Sequence, residues 1–241
     1  MRFLSKLNYL YTLILIFATV ACSSNSQQPN TLSEKEESEG WTLLFNGKNL
    51  DGWHLYNNRL PSSAWMVIDD YIYCDPNSES DRIDLVSNQQ FENYELKFEW
   101  KLEKEGNSGV FINVKEEPSI AQTFFSGPEY QLLEDSHMDF NLPLKKSGCL
   151  YNFTPQLNSV RTKMQRQWNE SRIVQKDGKI EFYLNGHQTA KMDFNSEQWH
   201  NMVSKSNFKD YPQFGKYTKG HIALQDWSRG VSFRNIKIKQ L

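Results

Sequence analysis

Tyr94-Glu95-Leu96-Lys97-Phe98-Glu99-Trp100-Lys101-Leu102 alternates without a break. Successive side chains of a strand point to opposite sides. Tyr94, Leu96, Phe98, Trp100 and Leu102 therefore share one face, and Glu95, Lys97, Glu99 and Lys101 the other. Such a period of two marks an antiparallel strand with one face in a core and one in water. The pattern recurs outward along the chain. Trp65-Met66-Val67-Ile68 and Tyr71-Ile72-Tyr73 flank Asp69-Asp70 as a hairpin. Arg172-Ile173-Val174 and Ile180 to Leu184 flank Asp177-Gly178. Asn185-Gly186 turns the chain into His187 to Met192, and Trp41 to Phe45 runs into Asn46-Gly47, both turn dipeptides. Near the C-terminus Phe233, Ile236 and Ile238 oppose Arg234, Lys237 and Lys239. A helical period is confined to a turn or two near Ser196 to Ser204, and no internal repeat is present. Many short antiparallel strands predict an all-β, two-sheet sandwich or jelly roll.

The chain has 241 residues with 7 Trp, 11 Tyr and 15 Phe, enough for one large β-domain with a sizeable core. Arg2 and Lys6 precede an apolar run, Leu10 to Val20, that is short for a spanning helix and fits a secretory signal over 1–21. Thr19-Val20-Ala21-Cys22 resembles the lipobox of bacterial lipoproteins, which makes Cys22 the expected lipidation site. Residues 22–40 are polar and acidic and are expected to be a disordered tether; the folded domain is expected over 41–241. The expected address is the bacterial cell envelope, lipid-anchored in the periplasm or on the outer-membrane surface, with the membrane met only through the anchor. Removing 1–21 takes two bases and no acids from the 27 Lys+Arg and 29 Asp+Glu, leaving an acidic chain. Without a Lys/Arg block, nucleic acid is not an expected partner. Cys74 and Cys149 could be a disulfide or two buried thiols, and their spacing is not that of a metal site.

Gly127-Pro128-Glu129-Tyr130-Gln131-Leu132-Leu133-Glu134-Asp135 reads as a strand with polar groups where a core strand has apolar ones. Glu129 and Gln131 share a face, Tyr130 and Leu132 the other. A buried carboxyl beside a carboxamide is unfavourable without partners, so that face is expected to floor a concave cleft for a polar ligand such as a sugar. Asn107-Ser108-Gly109 and Ser147-Gly148-Cys149-Leu150-Tyr151 have the same style. Glu129, Gln131 and Glu134 match the spacing of the Glu-x-Asp-x-x-Glu of laminarinase-type glycanases, whose outer carboxylates work as a retaining pair. Gln131 in the central position argues against that reaction. His137, in Asp135-Ser136-His137-Met138-Asp139, is a candidate general base, or with Asp139 a candidate divalent-metal ligand. Gln225-Asp226-Trp227 suits a cleft rim, Trp227 stacking on a pyranose. Lys205 is a candidate cation for polarising a carbonyl. His54 and His221 read as structural, His187 and His200 as exposed. The loops 155–167 and 205–219 are candidate cleft walls.

With these residues in view, the chain from Trp41 to Leu241 resembles the 3-keto-disaccharide hydrolase family. The carriers are Gly40 to Lys48, Leu50-Asp51-Gly52-Trp53, Asn107 to Phe111, Gly127 to Leu133, Gly148 to Tyr151, Trp168-Asn169, Leu184-Asn185-Gly186, Gly220 to Asp226 and Phe233 to Ile238. The resemblance implies a concanavalin A-like jelly roll of the lectin/glucanase type. It also implies action on glycosides oxidised to a ketone at sugar carbon 3, by elimination and then hydration. In that chemistry Glu129 or His137 would be the base, Asn107, Gln131, Gln225 and Asp226 sugar ligands, and Tyr151 a wall or proton donor. No particular cofactor is implied, and a divalent metal near His137 and Asp139 stays open. Glu134 stands where the family commonly has Asp. Trp227-Ser228 stands where it usually has His-Gly, which keeps a noncatalytic, lectin-like glycan-binding lipoprotein as the alternative.

Overall fold

The computed structural model describes residues 27–58 and 63–241. The signal segment and Cys22 lie outside the described residues. The strands are β1 (Trp41–Leu43), β2 (Trp53–Leu55), β3 (Trp65–Ile68), β4 (Tyr71–Cys74), β5 (Leu85–Phe91), β6 (Tyr94–Leu102), β7 (Asn107–Val114), β8 (Glu129–Leu133), β9 (Asn169–Lys176), β10 (Lys179–Leu184), β11 (His187–Asp193), β12 (Gly220–Leu224) and β13 (Val231–Gln240). Two short helices, α1 (Glu34–Ser38) and α2 (Glu197–Ser204), accompany them. The strands form an eight-stranded sheet, β11-β10-β9-β6-β13-β4-β3 with β1 on β13, and a five-stranded sheet, β2-β5-β12-β7-β8. All pairings are antiparallel, so the all-β jelly-roll sandwich is as predicted.

The alternation of β6 is obeyed in full. Tyr94, Leu96, Phe98, Trp100 and Leu102 are buried between the sheets with Tyr130 and Leu132 of β8. Tyr130 and Trp100 find partners in this core for their polar atoms, as burial favours, whereas Tyr94 Oη is buried without one among the described residues. Tyr130 Oη meets Ser171 Oγ at 2.7 Å and donates to the Tyr183 carbonyl at 3.0 Å, and Trp100 Nε1 donates to Ser171 Oγ at 2.8 Å. The two Tyr130 bonds run from one sheet to the other and hold β8 in a fixed setting. Cys74 and Cys149 are buried free thiols, and burial raises both pKa values.

The segment expected to be wholly tether is folded from Asn30 onward. Asn30 N donates to Asn235 Oδ1 at 2.6 Å and Asn235 N returns the bond to Asn30 Oδ1 at 2.8 Å. Ser33 and Glu36 form a capping box on α1, and Lys237 Nζ lies 2.7 Å from Glu36 Oε1. Partial burial works against the Glu36 anion, but Lys237 and the Ser33 N–H hold its pKa down to about 2. This strap lies on the outer face of the eight-stranded sheet. An acid-rich composition concealed it, because its pairs are made with residues two hundred positions away.

Helix α2 fastens a wall of the cleft. Ser196 caps it, accepting from Trp199 N, and Trp199 is fully buried against Phe153, Phe194 and Phe214. Its indole N–H donates to the Gly215 carbonyl at 2.8 Å. A Cβ on Gly215 would stand 2.5 Å from the indole ring, and the residue's φ is +64°, so glycine is required there. Phe208 and Phe214 stack at 4.1 Å in the same cluster. Replacing Trp199 with Ala is expected to destabilise the fold by about 3–5 kcal/mol. Denaturant melts would read that loss, and faster proteolysis within 205–219 should accompany it.

Candidate active site

The outer face of the five-stranded sheet carries the cleft, and strand register decides what stands on it. Val86, Ala223, Phe111 and Glu129 pair in one row across β5, β12, β7 and β8. The next row has Gly109 opposite Gln131, with Gln225 N donating to the Gly109 carbonyl at 2.9 Å. The apolar row packs with Tyr56, Ile83, Val114 and Ile120, beneath the segment 115–126. Glu129 is thus the carboxyl at the polar end of an apolar strip.

Gly109 decides where that carboxyl goes. A Cβ there would stand 2.1 Å from Glu129 Oε1. Glu129 therefore leans across the space a side chain at 109 would fill, into the row between Gln131 and Gln225. It is buried, 8% exposed. Burial, with the nearby Asp84 carboxylate in support, pushes its pKa well above the ordinary range.

Around Glu129 lies a cavity of about 340 Å³. Asn107, Gln131 and Gln225 line it beside Glu129, as the sequence predicted. Gln131 Nε2 donates to Asn107 Oδ1 at 2.9 Å, which orients both amides. Gln225 Oε1 is buried and has no hydrogen-bond partner. Tyr151 forms a wall, its hydroxyl pKa raised by burial and by Glu129. Trp227, 54% exposed, stands on the rim. Asn207, Phe208 and Tyr211 of the 205–219 loop complete the far side. Tyr211 stacks on Phe125 at 4.2 Å, which joins that loop to the 115–126 segment.

Several expectations are corrected. His137 does not line the cavity; its Nδ1 accepts from the Asp139 N–H at 3.1 Å, in a turn. Asp139 does line it, but its carboxylate is engaged by Lys145 at 2.9 Å. Among the described residues no cluster of three or more His, Cys, Asp or Glu could hold a metal ion. Lys205 is exposed at the C-terminal cap of α2 and away from the cleft. The cation at the cleft is Lys145, its pKa raised by Asp139. Asp226 is buried, 2.9 Å from Arg82 Nη1, and its N–H donates to Asp84 Oδ1; it lines only a smaller neighbouring cavity. Glu134 accepts from the Glu105 and Ser136 N–H groups at 2.9 and 3.0 Å and also from the Ser136 hydroxyl. Those bonds outweigh its burial and lower its pKa, as befits a turn brace. The 155–167 loop does not reach the cavity.

The structural reading of His54 and His221 holds. His54 Nε2 lies 2.8 Å from Glu116, and His221 Nδ1 2.7 Å from the Ser87 carbonyl. Sequence reasoning missed Lys145, Phe124 and Asp84, whereas Asn207 and Tyr211 lie in the 205–219 loop expected as a wall. Asp84 directly precedes β5, whose polar Ser87-Asn88-Gln89-Gln90 hides the strand pattern that would have placed it.

Residues 40–239 match the family described as the 3-keto-alpha-glucoside-1,2-lyase-like domain. The chain belongs to this family. It is 28% identical over 246 aligned positions, 91% of this chain and 84% of the other, to a 3-keto-disaccharide hydrolase of Bacteroides thetaiotaomicron. A candidate glycosyl hydrolase of Parabacteroides distasonis superposes with a TM-score of 0.80 at 32% identity, covering 89% of this chain and all of that one, 100%. A second from the same species has a TM-score of 0.63 at 24% identity over 83% and 99% of the two chains, a likeness of fold. Family membership makes the function carbohydrate-active.

The raised Glu129 pKa has a consequence for stability. Above pH 4 the unfolded chain releases this proton while the folded protein keeps it, so stability falls with rising pH until the folded pKa is passed. Glu129→Gln is expected to raise Tm at pH 8 and leave it nearly unchanged at pH 4. Thermal melts at the two pH values check this; an equal effect at both would refute the assignment.

Proposed function

We propose that the protein cleaves 3-keto-glycosides by elimination across C1–C2 followed by hydration, a net hydrolysis. The single observation that carries the reading is Glu129, an unpaired buried carboxyl aimed over Gly109 into a sugar-sized cleft. A C3 ketone acidifies the C2 hydrogen, and the C1 oxygen is then β to the carbanion. The reaction needs one strong base, a group that stabilises the enolate and an acid for the departing oxygen. A carboxylate whose proton affinity is raised by burial is a better base at neutral pH than one in water. The Lys145 ammonium is the positive charge available to the enolate. The amides of Asn107, Gln131 and Gln225 hold hydroxyls, and Trp227 offers a face to a pyranose. Gln131 at the centre of the strand agrees with a mechanism that does not use twin carboxylates in double displacement.

The location proposed is the cell envelope, anchored through Cys22. Gln27 and Gln28 lie against Lys97 and Glu99 on the outer face of the eight-stranded sheet, opposite the cleft. An anchor before them would leave the cleft opening away from the membrane.

Exposed Trp227, where relatives of this kind usually carry His-Gly, favours a second reading: a lectin-like module that binds glycan without turnover. The two separate in one assay. Purified protein is expected to release the alcohol from a 3-keto-glucoside and not from the parent glucoside, with kcat falling about 100- to 10,000-fold in Glu129→Gln. Calorimetric binding of the unoxidised oligosaccharide, with no turnover of the keto-sugar, would instead establish the lectin reading.

A further inference from the structure

A second carboxyl, Asp84, lies on the far side of Gln225 and lines the smaller neighbouring cavity. The pairings Val86 with Ala223 and Leu85 with Leu224, continued by one residue, set Asp84 opposite Gln225. Asp84, Gln225, Gly109 and Gln131 thus form one row on one face. Asp84 and Gly109 are two strands apart, about 10 Å backbone to backbone, and Glu129 leans into the gap over Gly109. Asp84 accepts from the Thr123 hydroxyl and, at 2.8 Å, from the Asp226 N–H, so its carboxyl is held in place. Beside it opens a second cavity of about 260 Å³, between Arg82, Gln122 and Trp227. Phe124, Gln225 and Trp227 line both cavities. A bond spanning from one cavity to the other passes between the two carboxyls. The unpartnered Gln225 Oε1 stands at that junction, ready to accept from a sugar hydroxyl.

We propose that Asp84 is the acid that protonates the departing glycosidic oxygen, with the leaving sugar seated in the cavity beside Arg82, Gln122 and Trp227. The inference rests on the keto-glycoside reading and adds to it the group that reading lacks. Tyr151 is the poorer acid, because its environment raises an already high pKa. Burial, opposed by the Thr123 and Asp226 N–H bonds, pushes the Asp84 pKa up to about 7, so it holds a proton part of the time near neutrality.

The steps balance. Glu129 carboxylate takes the C2 hydrogen as a proton, and its electron pair becomes the enolate. The enolate re-forms the ketone, the C1–C2 double bond appears, the C1–O bond breaks, and the oxygen takes the proton of Asp84. Water then adds to C1: the Asp84 carboxylate takes one of its protons, and Glu129 returns the first proton to C2. Both carboxyls end as they began, and no oxidant or reductant is consumed. The working state therefore holds a single proton on the pair, and the form that reacts is the one with that proton on Asp84 and Glu129 ionised, reached by moving it from Glu129, whose proton affinity the Asp84 charge raises. The charged and titratable groups facing Asp84 are Glu129, Asp226 with its Arg82 partner, and the Cys74 thiol.

The test compares two substrates on the full chain: a 3-keto-disaccharide, whose alkoxide must be protonated, and a nitrophenyl 3-keto-glucoside, whose phenolate leaves without a proton. Asp84→Asn is expected to lower kcat about 100-fold or more on the disaccharide and less than about tenfold on the nitrophenyl glycoside. Equal losses on both in a variant with wild-type Tm, or no loss on the disaccharide, would overturn the proposal. The wild-type protein gives a readout independent of the variant's folding. Its kcat should fall on the alkaline side for the disaccharide only; a fall for both substrates, or for neither, would also overturn it. If wild-type protein turns over neither keto-glycoside, the parent reading fails, and this proposal fails with it.

Discussion

The arrangement turns on an absence, the missing side chain at Gly109. Every other position in its row carries a polar side chain, and only the gap allows Glu129 to lay its carboxyl across the sheet. An alanine there would need the carboxyl to move by more than an ångström, since 2.1 Å lies far inside van der Waals contact. Strand register then does the remaining placement. A pairing slip of one residue would turn Glu129 and Gln131 into the core and Tyr130 and Leu132 into the cleft. Tyr130 makes such a slip expensive, because its hydroxyl is tied to Ser171 and Tyr183 of the opposite sheet.

The two sheets divide the labour. The eight-stranded sheet pairs its outward charges with one another and with rings: Glu99 with Arg234, Glu95 with Arg172, and Lys101 over Tyr71 and Trp168. Exposed pairs of this kind contribute little each, but they leave that face electrostatically satisfied. The five-stranded sheet does the opposite. Glu129 gains no cation, Gln225 keeps an orphaned oxygen, and Asp84 and Glu129 repel each other when both are ionised. Stability sacrificed at a site is a recurrent cost of function. The aromatic cluster around Trp199, Phe153, Phe208 and Phe214 offsets it while also holding a cleft wall.

The fold was legible because its signal is local. Alternation in Tyr94 to Leu102 and the turn dipeptides report on neighbours in the chain, and the structure obeys them. Glu129, Gln131, Asn107 and Gln225 were legible for a related reason: polar residues in or beside an otherwise apolar strand announce a cleft. His137 and Lys205 misled because loop residues carry chemistry without direction; nothing local says which way they point. Asp84 and Lys145 were missed for the converse reason. Asp84 reaches the site only through a cross-strand register, and Lys145 through a single 3₁₀ turn after a loop. The strap at Asn30 to Gly40 looked like a tether because composition cannot see a partner as remote as Asn235.

A cleft built this way is incomplete by itself. A ligand hydroxyl donated to Gln225 Oε1 would satisfy an acceptor the protein leaves bare, and a single proton shared by Asp84 and Glu129 would remove their repulsion. The first gain needs a hydrogen-bonding guest in the two cavities that meet at Gln225, whereas the second needs only the proton. A monosaccharide confined to one of them would collect the first and leave the second cavity to water. On the proposed reading, a two-unit substrate would find binding surface on both sides of Gln225, with the reacting bond over it. Trp227 lines both cavities from the rim and so offers an aromatic face to each.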